Sequence, residues 1–182
     1  MTTEGRVIGV LQRPLAGEPL ALDLLNTTWP ERGVHHDVFG EPAGVAAWLA
    51  EHGLSDTPGA EEPLRHTRSV LREVLDNHSE TAERALNAVL KRGRLRPELR
   101  RGEPGDVFEV EQVAWRPAWL AAYSYLTLLR ARPQRIKRCS AYPACTLYFE
   151  DTTRNGTRRW CSMTACGNRA KAARHYHRER SN

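Results

Sequence analysis

The chain has 182 residues, of which 40% are hydrophobic and 27% are charged, and its net charge is +5. These values fit one large domain or a medium domain with a small one appended, and they exclude a disordered or fibrous chain. The longest apolar stretches fall far below the roughly 20 residues that span a bilayer, and residues 1–17 lack the apolar core of a signal peptide, so we expect a soluble, cytoplasmic protein that does not enter a membrane.

The first 132 residues are predicted to form a mainly helical domain. Leucines, valines and alanines recur there at helical spacing, between residues that typically begin or end a helix. Four helices are predicted in this way: one between Pro42 and Gly53, one around residues 64–75, one from the N-cap Ser79 to Gly93, and one from Pro117 to Pro133.

Between residues 94 and 114 the helical spacing gives way to the alternation of a strand. Residues 107–111 alternate in this manner after a turn at residues 102–105, which predicts a small β-hairpin. Residues 131–135 are the expected linker, so we divide the chain into a regulatory or effector domain at 1–132 and a second domain at 133–182.

Candidate chemistry in the helical domain is sparse. Asp23, Asn26 and Trp29 lie at the end of a short apolar helix or strand, and His35-His36-Asp37 follows in a loop flanked by glycines. The hypothesis for the first three is an effector pocket, and a second metal held by these polar groups is a weaker alternative. Asp23 and Asn26 could instead only cap backbone groups. No nucleophile elbow, phosphate loop or zincin helix is present.

The C-terminal segment differs from the rest in charge. From Arg130 onward the chain carries 13 basic against three acidic side chains, whereas the first 129 residues carry 14 basic and 19 acidic ones. Such asymmetry is typical of a polyanion-binding module joined to a body with another role. A solvated basic tail is the alternative.

All four cysteines of the chain lie in this basic segment, at Cys139, Cys145, Cys161 and Cys166. An even count allows two disulfides, but thiols stay reduced where no secretion signal is present. Two close pairs separated by 15 residues are typical of a structural zinc site with four thiolates. We therefore predict one structural zinc.

The residues around the cysteines predict a hairpin followed by a helix. A strand at residues 147–149, a turn at Asn155-Gly156 and a returning strand at residues 158–160 would place a hairpin between the ligand pairs. Ser162 or Thr164 is the expected N-cap of a helix that runs to about Arg178.

Two stretches resemble known protein families. The run from Arg154 to Lys171 resembles the CGNR zinc finger, named for the residues found here at 166–169. The run Leu20–Thr27 resembles the opening of the N-terminal domain that accompanies this finger in bacterial proteins described as stress-induced transcription regulators. The five-residue gap between Cys139 and Cys145 departs from the family pattern, in which four residues are expected. The resemblance implies a mainly α fold in which a helical N-terminal domain precedes a treble-clef-like finger of one β-hairpin and one helix.

Three interpretations of function follow. The favoured one is a DNA-binding transcription regulator, whose helical domain senses an effector or forms a homodimer. An enzyme with its active site in the helical domain is the first alternative, and an RNA-binding accessory protein with exposed Tyr148, Phe149 and Trp160 is the second. The predicted nucleic-acid contacts are Arg154, Arg158, Arg159, Asn168, Arg169, Lys171, Arg174 and Arg178.

Overall fold

A computed structural model describes residues 13–179. Its helices and strands are, in chain order, α1 (Leu20–Leu25), β1 (Thr28–Glu31), β2 (Val34–Asp37), α2 (Gly44–Glu51), α3 (Glu61–Asn77), α4 (Glu80–Leu90), β3 (Gly93–Arg100), β4 (Glu103–Val110), α5 (Arg116–Ala131), β5 (Ile136–Arg138), β6 (Tyr148–Glu150) and α6 (Asn168–Glu179). The strands of this part of the chain form three antiparallel pairs. No described helix combines the length and apolar character needed to cross a bilayer. Most of the stretch considered for a signal peptide, residues 1–12, lies outside the described residues.

The mainly helical fold class is confirmed, and α2 to α5 correspond to the four predicted helices. Ser79 caps α4 as predicted, because its hydroxyl accepts a hydrogen bond from the Ala82 amide. A proline in the first turn opens α5, and Pro133 follows its C-cap. These local signals set the helix ends.

Helix α1 lies at the centre of the helical body. It packs against α3 and α5, and all residues from Ala21 to Thr27 are buried. Leu22, Leu24 and Leu25 meet Leu64 and Leu71 of α3 in one continuous apolar core. The short helix α1 is thus fixed by burial on almost every side rather than by its own helix propensity.

Two hairpins share the same kind of turn. Arg32-Gly33 joins β1 to β2 with φ angles of +49° and +81°, and Arg101-Gly102 joins β3 to β4 with φ angles of +51° and +86°. Left-handed residues at both positions match the twist of a two-residue hairpin. The β3–β4 hairpin was predicted, whereas the loop predicted for residues 35–37 is wrong, because this turn folds those residues back as β2.

The predicted pairing of residues 147–149 with residues 158–160 is wrong. Strand β6 pairs with β5, which precedes Cys139, and residues 158–160 return without becoming a strand. The buried Asp151 carboxylate accepts hydrogen bonds from the amides of Thr153 and Arg158 and from Lys137 Nζ. Hydrogen bonds to the Asp151 carboxylate therefore hold the segment that begins at Arg158, where the prediction expected hydrogen bonds between two strands.

The finger is attached to the body through β6. The Asn26 side chain, at the end of α1, donates from Nδ2 to the Tyr148 carbonyl at 2.9 Å and accepts from the Tyr148 amide at 3.0 Å. The Tyr148 hydroxyl donates to Asp76 of α3, which also pairs with Arg138 at 2.9 Å. Polar contacts on two body helices thus fix the position of the finger.

Candidate metal centre and nucleic-acid interface

The four cysteine sulfurs converge on one point. Each thiol offers one ligand atom, and the four atoms all lie within 4.8 Å of one another. The Cys161 sulfur is 3.7 Å from that of Cys145 and 3.5 Å from that of Cys166. A tetrahedral zinc with bonds of about 2.3 Å places its sulfurs about 3.8 Å apart, so the separations fit a ZnS₄ centre.

The four thiols can all ionise together only around a cation. All four cysteines are buried and none is in a disulfide. The hydrogen bond from Cys161 lowers the pKa of Cys145 to about 5, whereas burial raises the pKa of Cys166 to about 11. Four thiols therefore cannot all ionise together unless a metal balances their charge. The prediction of one structural zinc is confirmed, and with four thiolates the ion has no open position for catalysis.

A second layer of contacts orients the sulfur ligands. The Cys161 amide donates to the Cys139 sulfur at 3.5 Å, and Arg169 Nη2 donates to the Cys166 sulfur at 3.3 Å. Such partners fix ligand orientation and tune metal affinity. Arg169, predicted as a nucleic-acid contact, therefore also belongs to the metal centre. Its signal in the sequence was its position three residues after a ligand on a helix, where side chains are neighbours.

Arg158 also has a structural position. Its guanidinium donates to the carbonyls of Trp160 at 3.0 Å and of Cys161, and it lies 4.2 Å from the centre of the Phe149 ring. These contacts hold the segment that leads into Cys161. The sequence suggested only a cation at this position, because no local pattern shows which carbonyls a guanidinium will meet.

The other predicted nucleic-acid contacts are exposed wherever the structure describes their side chains. Arg154, Arg159, Asn168 and Lys171 are exposed, and the Arg159 guanidinium lies 5.4 Å from the Trp160 ring centre. The backbone of Arg174 and Arg178 continues helix α6, while their side chains lie outside the described residues. Four of the predicted contacts are therefore accessible on the finger.

Helix α6 begins at the zinc centre. Ser162 caps the wide turn at Met163–Gly167, which contains Cys166 and leads directly into the helix. Lys171, Ala172 and Ala173 are all exposed, although at 100° per residue they point to different sides of the helix. These side chains are therefore not packed against the body, and Tyr176, 70% exposed, extends this surface.

The aromatic residues named for RNA stacking are largely enclosed. Tyr148 and Phe149 are buried, at 3% and 0% exposure, and Trp160 is half-buried. Burial places their rings in the interior of the finger and against the body. The RNA-binding interpretation requires these three rings to be exposed for stacking on bases, and they are not.

The structure does not bring Asp23, Asn26 and Trp29 around one cavity. Asp23 is fully buried, and its carboxylate accepts from Trp48 Nε1 at 2.8 Å and lies 2.9 Å from His52 Nε2. Burial alone would raise the pKa of Asp23, but the hydrogen bonds from His52 and Arg13 hold it below its ordinary value. Asn26 is fully engaged by Tyr148. Trp29 alone of the three lines a groove, which it shares with the finger.

Comparison with known proteins agrees with this architecture. The family model described as "Putative stress-induced transcription regulator" (ABATE) matches residues 18–132, and the CGNR zinc finger model matches residues 135–179. No match was found among curated proteins. The first model covers more than half of the chain, and the second contains all four sulfur ligands. The chain therefore belongs to the ABATE family, and its C-terminal part is a CGNR zinc finger.

Proposed function

We propose that the protein is a transcription regulator that binds double-stranded DNA through α6. The observation that supports this proposal is a basic helix that starts at the zinc centre with exposed side chains on several sides. A helix of this kind can enter the major groove, whose width admits an α-helix. The small side chains of Ala172 and Ala173 permit close approach to the bases.

Different residues have different proposed roles at this interface. Lys171, Arg154 and Arg159 would contact phosphates, which contribute affinity without sequence preference. Asn168 is exposed at the start of α6 and is the candidate for a base contact, because a side-chain amide can pair with adenine. Arg174 and Arg178, about one and two helical turns after Lys171, would extend the phosphate contacts.

One finger is a small interface. A single module buries about 600–1,000 Å² on DNA, which is little for selection among genomic sites. We therefore propose that two copies bind together, with half-sites related by a two-fold axis. Sedimentation of the full-length protein with and without DNA measures this directly, and a strict monomer in both conditions would overturn the dimer.

Salt dependence of binding tests the DNA interface. With about four or five phosphate contacts, the logarithm of affinity for duplex DNA is expected to fall with the logarithm of salt concentration at a slope of about −4. Lys171→Ala should weaken all sequences alike and reduce the slope by about one unit. Lys91→Ala is the matched control, because Lys91 is equally exposed but follows α4 of the body.

Two results would overturn the proposal. A salt-independent affinity would exclude phosphate contacts, and a stronger, equally salt-dependent affinity for single-stranded RNA would favour the accessory RNA-binding role.

The Asn168→Ala variant distinguishes a base contact from a structural role. Normal zinc content with lost sequence preference supports a base contact, while lost zinc assigns Asn168 to the metal centre.

A further inference from the structure

A groove of about 590 Å³ lies between the β1–β2 hairpin and the zinc finger. Small-molecule sites occupy about 300–1,000 Å³ and occur preferentially at the junction of two domains. One wall comes from the body and includes Trp29 and Arg32. The other comes from the finger and includes Leu147, Arg169 and three of the four zinc ligands, Cys145, Cys161 and Cys166. A ligand of modest size would therefore touch both parts of the protein.

Much of the groove surface is apolar. Pro14, Leu15, Pro30 and Leu147 line it together with Trp29. Trp29 is held in place because its indole stacks on the His36 imidazole, with ring centres 5.0 Å apart and an angle of 13° between the planes. A flat apolar group would meet a surface that is already formed.

The polar side chains of the lining carry both signs of charge: Arg32 and Arg169 are cationic, whereas Glu31 and the zinc-bound thiolates are anionic. Within residues 13–179, the Arg32 guanidinium has no hydrogen-bond or ion-pair partner, and the Trp29 indole N–H has no acceptor. Arg169 lies on the finger side and directs one nitrogen to the Cys166 sulfur. Glu31, the acidic residue of the lining, has its carboxylate 4.0 Å from the His36 ring.

The position of the two arginines determines where a charge would bind. The zinc-bound thiolates carry net negative charge, and Arg169 is directed towards one of them. Arg32 is at the tip of the β1–β2 hairpin, where the left-handed turn presents its side chain beside the groove. An anionic group is therefore favoured at Arg32, with the apolar body of the ligand over Trp29 and Leu147.

We propose that this groove binds a small organic anion, a carboxylate with a flat apolar body. The effector site then lies away from Asp23 and Asn26, whose polar atoms already have partners, and it still includes Trp29. Because the site lies on the zinc-centre side of the finger, the ligand would contact Arg169 at the start of α6. Binding itself does not depend on the DNA-binding role.

A pair of probes that differ in charge tests the ligand class. Zinc-loaded full-length protein is titrated with 1-naphthoate and with uncharged 1-naphthamide, and the five tryptophan indole signals are followed by ¹H–¹⁵N NMR. The Trp29→Phe variant identifies the Trp29 signal. We expect this signal to shift with both probes, and naphthoate to bind about tenfold more tightly, since a charged hydrogen bond is stronger than a neutral one.

Two substitutions locate the charge. Arg32→Gln should reduce naphthoate affinity to that of naphthamide and leave naphthamide affinity unchanged. Arg101→Gln is the matched control, because Arg101 lies in the same Arg-Gly turn of the β3–β4 hairpin and should leave both affinities unchanged. The spectrum and zinc content of each variant verify folding. Equal binding of the two probes, no shift at Trp29, or naphthoate binding that survives Arg32→Gln would each overturn the proposal.

Discussion

The helical body and the zinc finger differ in what fills their interiors. In the body, Leu22, Trp48 and Leu64 are fully or almost fully buried within one apolar core. In the finger, the buried side chains are mainly the four cysteines and the short run Leu147–Phe149. Apolar burial is thus sufficient to explain the body, whereas the finger needs its metal, because so few apolar side chains cannot offset the entropy of ordering the loops around them.

The junction changes how independent these two regions are. Tyr148 and Phe149, two of the three buried apolar residues that the finger has besides its cysteines, belong to β6, the strand that Asn26 binds. A finger that folded by itself would unfold alone when zinc is removed. The observed junction predicts a wider effect, because β6 also covers α1 in the centre of the body.

The largest expected effect comes from removing the metal centre. Cys161→Ser eliminates the ligand that neighbours both Cys145 and Cys166, so zinc should be lost. Structural zinc contributes on the order of 10 kcal/mol to the folding of small fingers. We expect the finger to unfold and the body to lose part of its stability, as measured by metal analysis and amide hydrogen exchange. Chelation of the natural chain should act likewise and be reversed by added zinc. Unchanged exchange protection in α1 would show that the two regions fold independently.

The next effect comes from the junction itself. Asn26→Ala leaves the amide and the carbonyl of Tyr148 without their partners in a buried position, and each unsatisfied group costs about 1–3 kcal/mol. We therefore expect a loss of about 2–5 kcal/mol in the free energy of unfolding in urea, with zinc still bound. Asn87→Ala, on the exposed side of α4, should change stability by less than about 0.5 kcal/mol. Separate unfolding transitions for body and finger in Asn26→Ala would show that this contact couples the two regions.

A smaller effect is expected for an ion pair inside the body. Asp37 accepts from both terminal nitrogens of Arg68 at 2.8 Å and from Arg65 at 2.7 Å. Burial alone would raise the pKa of Asp37, but Arg68 and then Arg65 hold it below its ordinary value. Asp37→Asn should cost about 2 kcal/mol at pH 7, since hydrogen bonds to charged groups contribute about 1.5–3 kcal/mol.

The pH dependence of that cost has a definite sign. Because the pKa of Asp37 is lower in the folded state, its stabilisation is complete above the ordinary value of about 3.9 and is lost as the pH falls through the folded value. The difference in unfolding free energy between the natural chain and Asp37→Asn should therefore shrink below about pH 4. Zinc loss at low pH affects both proteins alike, so a constant difference would contradict the ion-pair model.

The sequence was informative wherever a local signal decides the structure. The Ser79 cap, the proline at the start of α5 and the cysteine pairs each predicted their element or site. The role of Asn26 could not be predicted because its partner lies 122 positions away. The role of Arg158 could not be predicted because no sequence pattern marks which nearby carbonyls a guanidinium will bind. Arg32 was missed for a similar reason, since its importance depends on which elements form the other side of the groove.

The smallest effect separates the two roles of Arg169. If its main contact is the Cys166 sulfur, 3.3 Å from Nη2, Arg169→Gln should lower zinc affinity about tenfold, the lower end of the range for residues that support metal ligands. Lys171→Ala, two residues further along α6, should leave zinc affinity unchanged and reduce only DNA binding. Competition with a chromophoric chelator measures zinc affinity for both variants under the same conditions. If Arg169→Gln instead retains full zinc affinity and loses DNA binding as Lys171→Ala does, the finger is ordered by its four thiolates alone, and Arg169 belongs to the nucleic-acid interface.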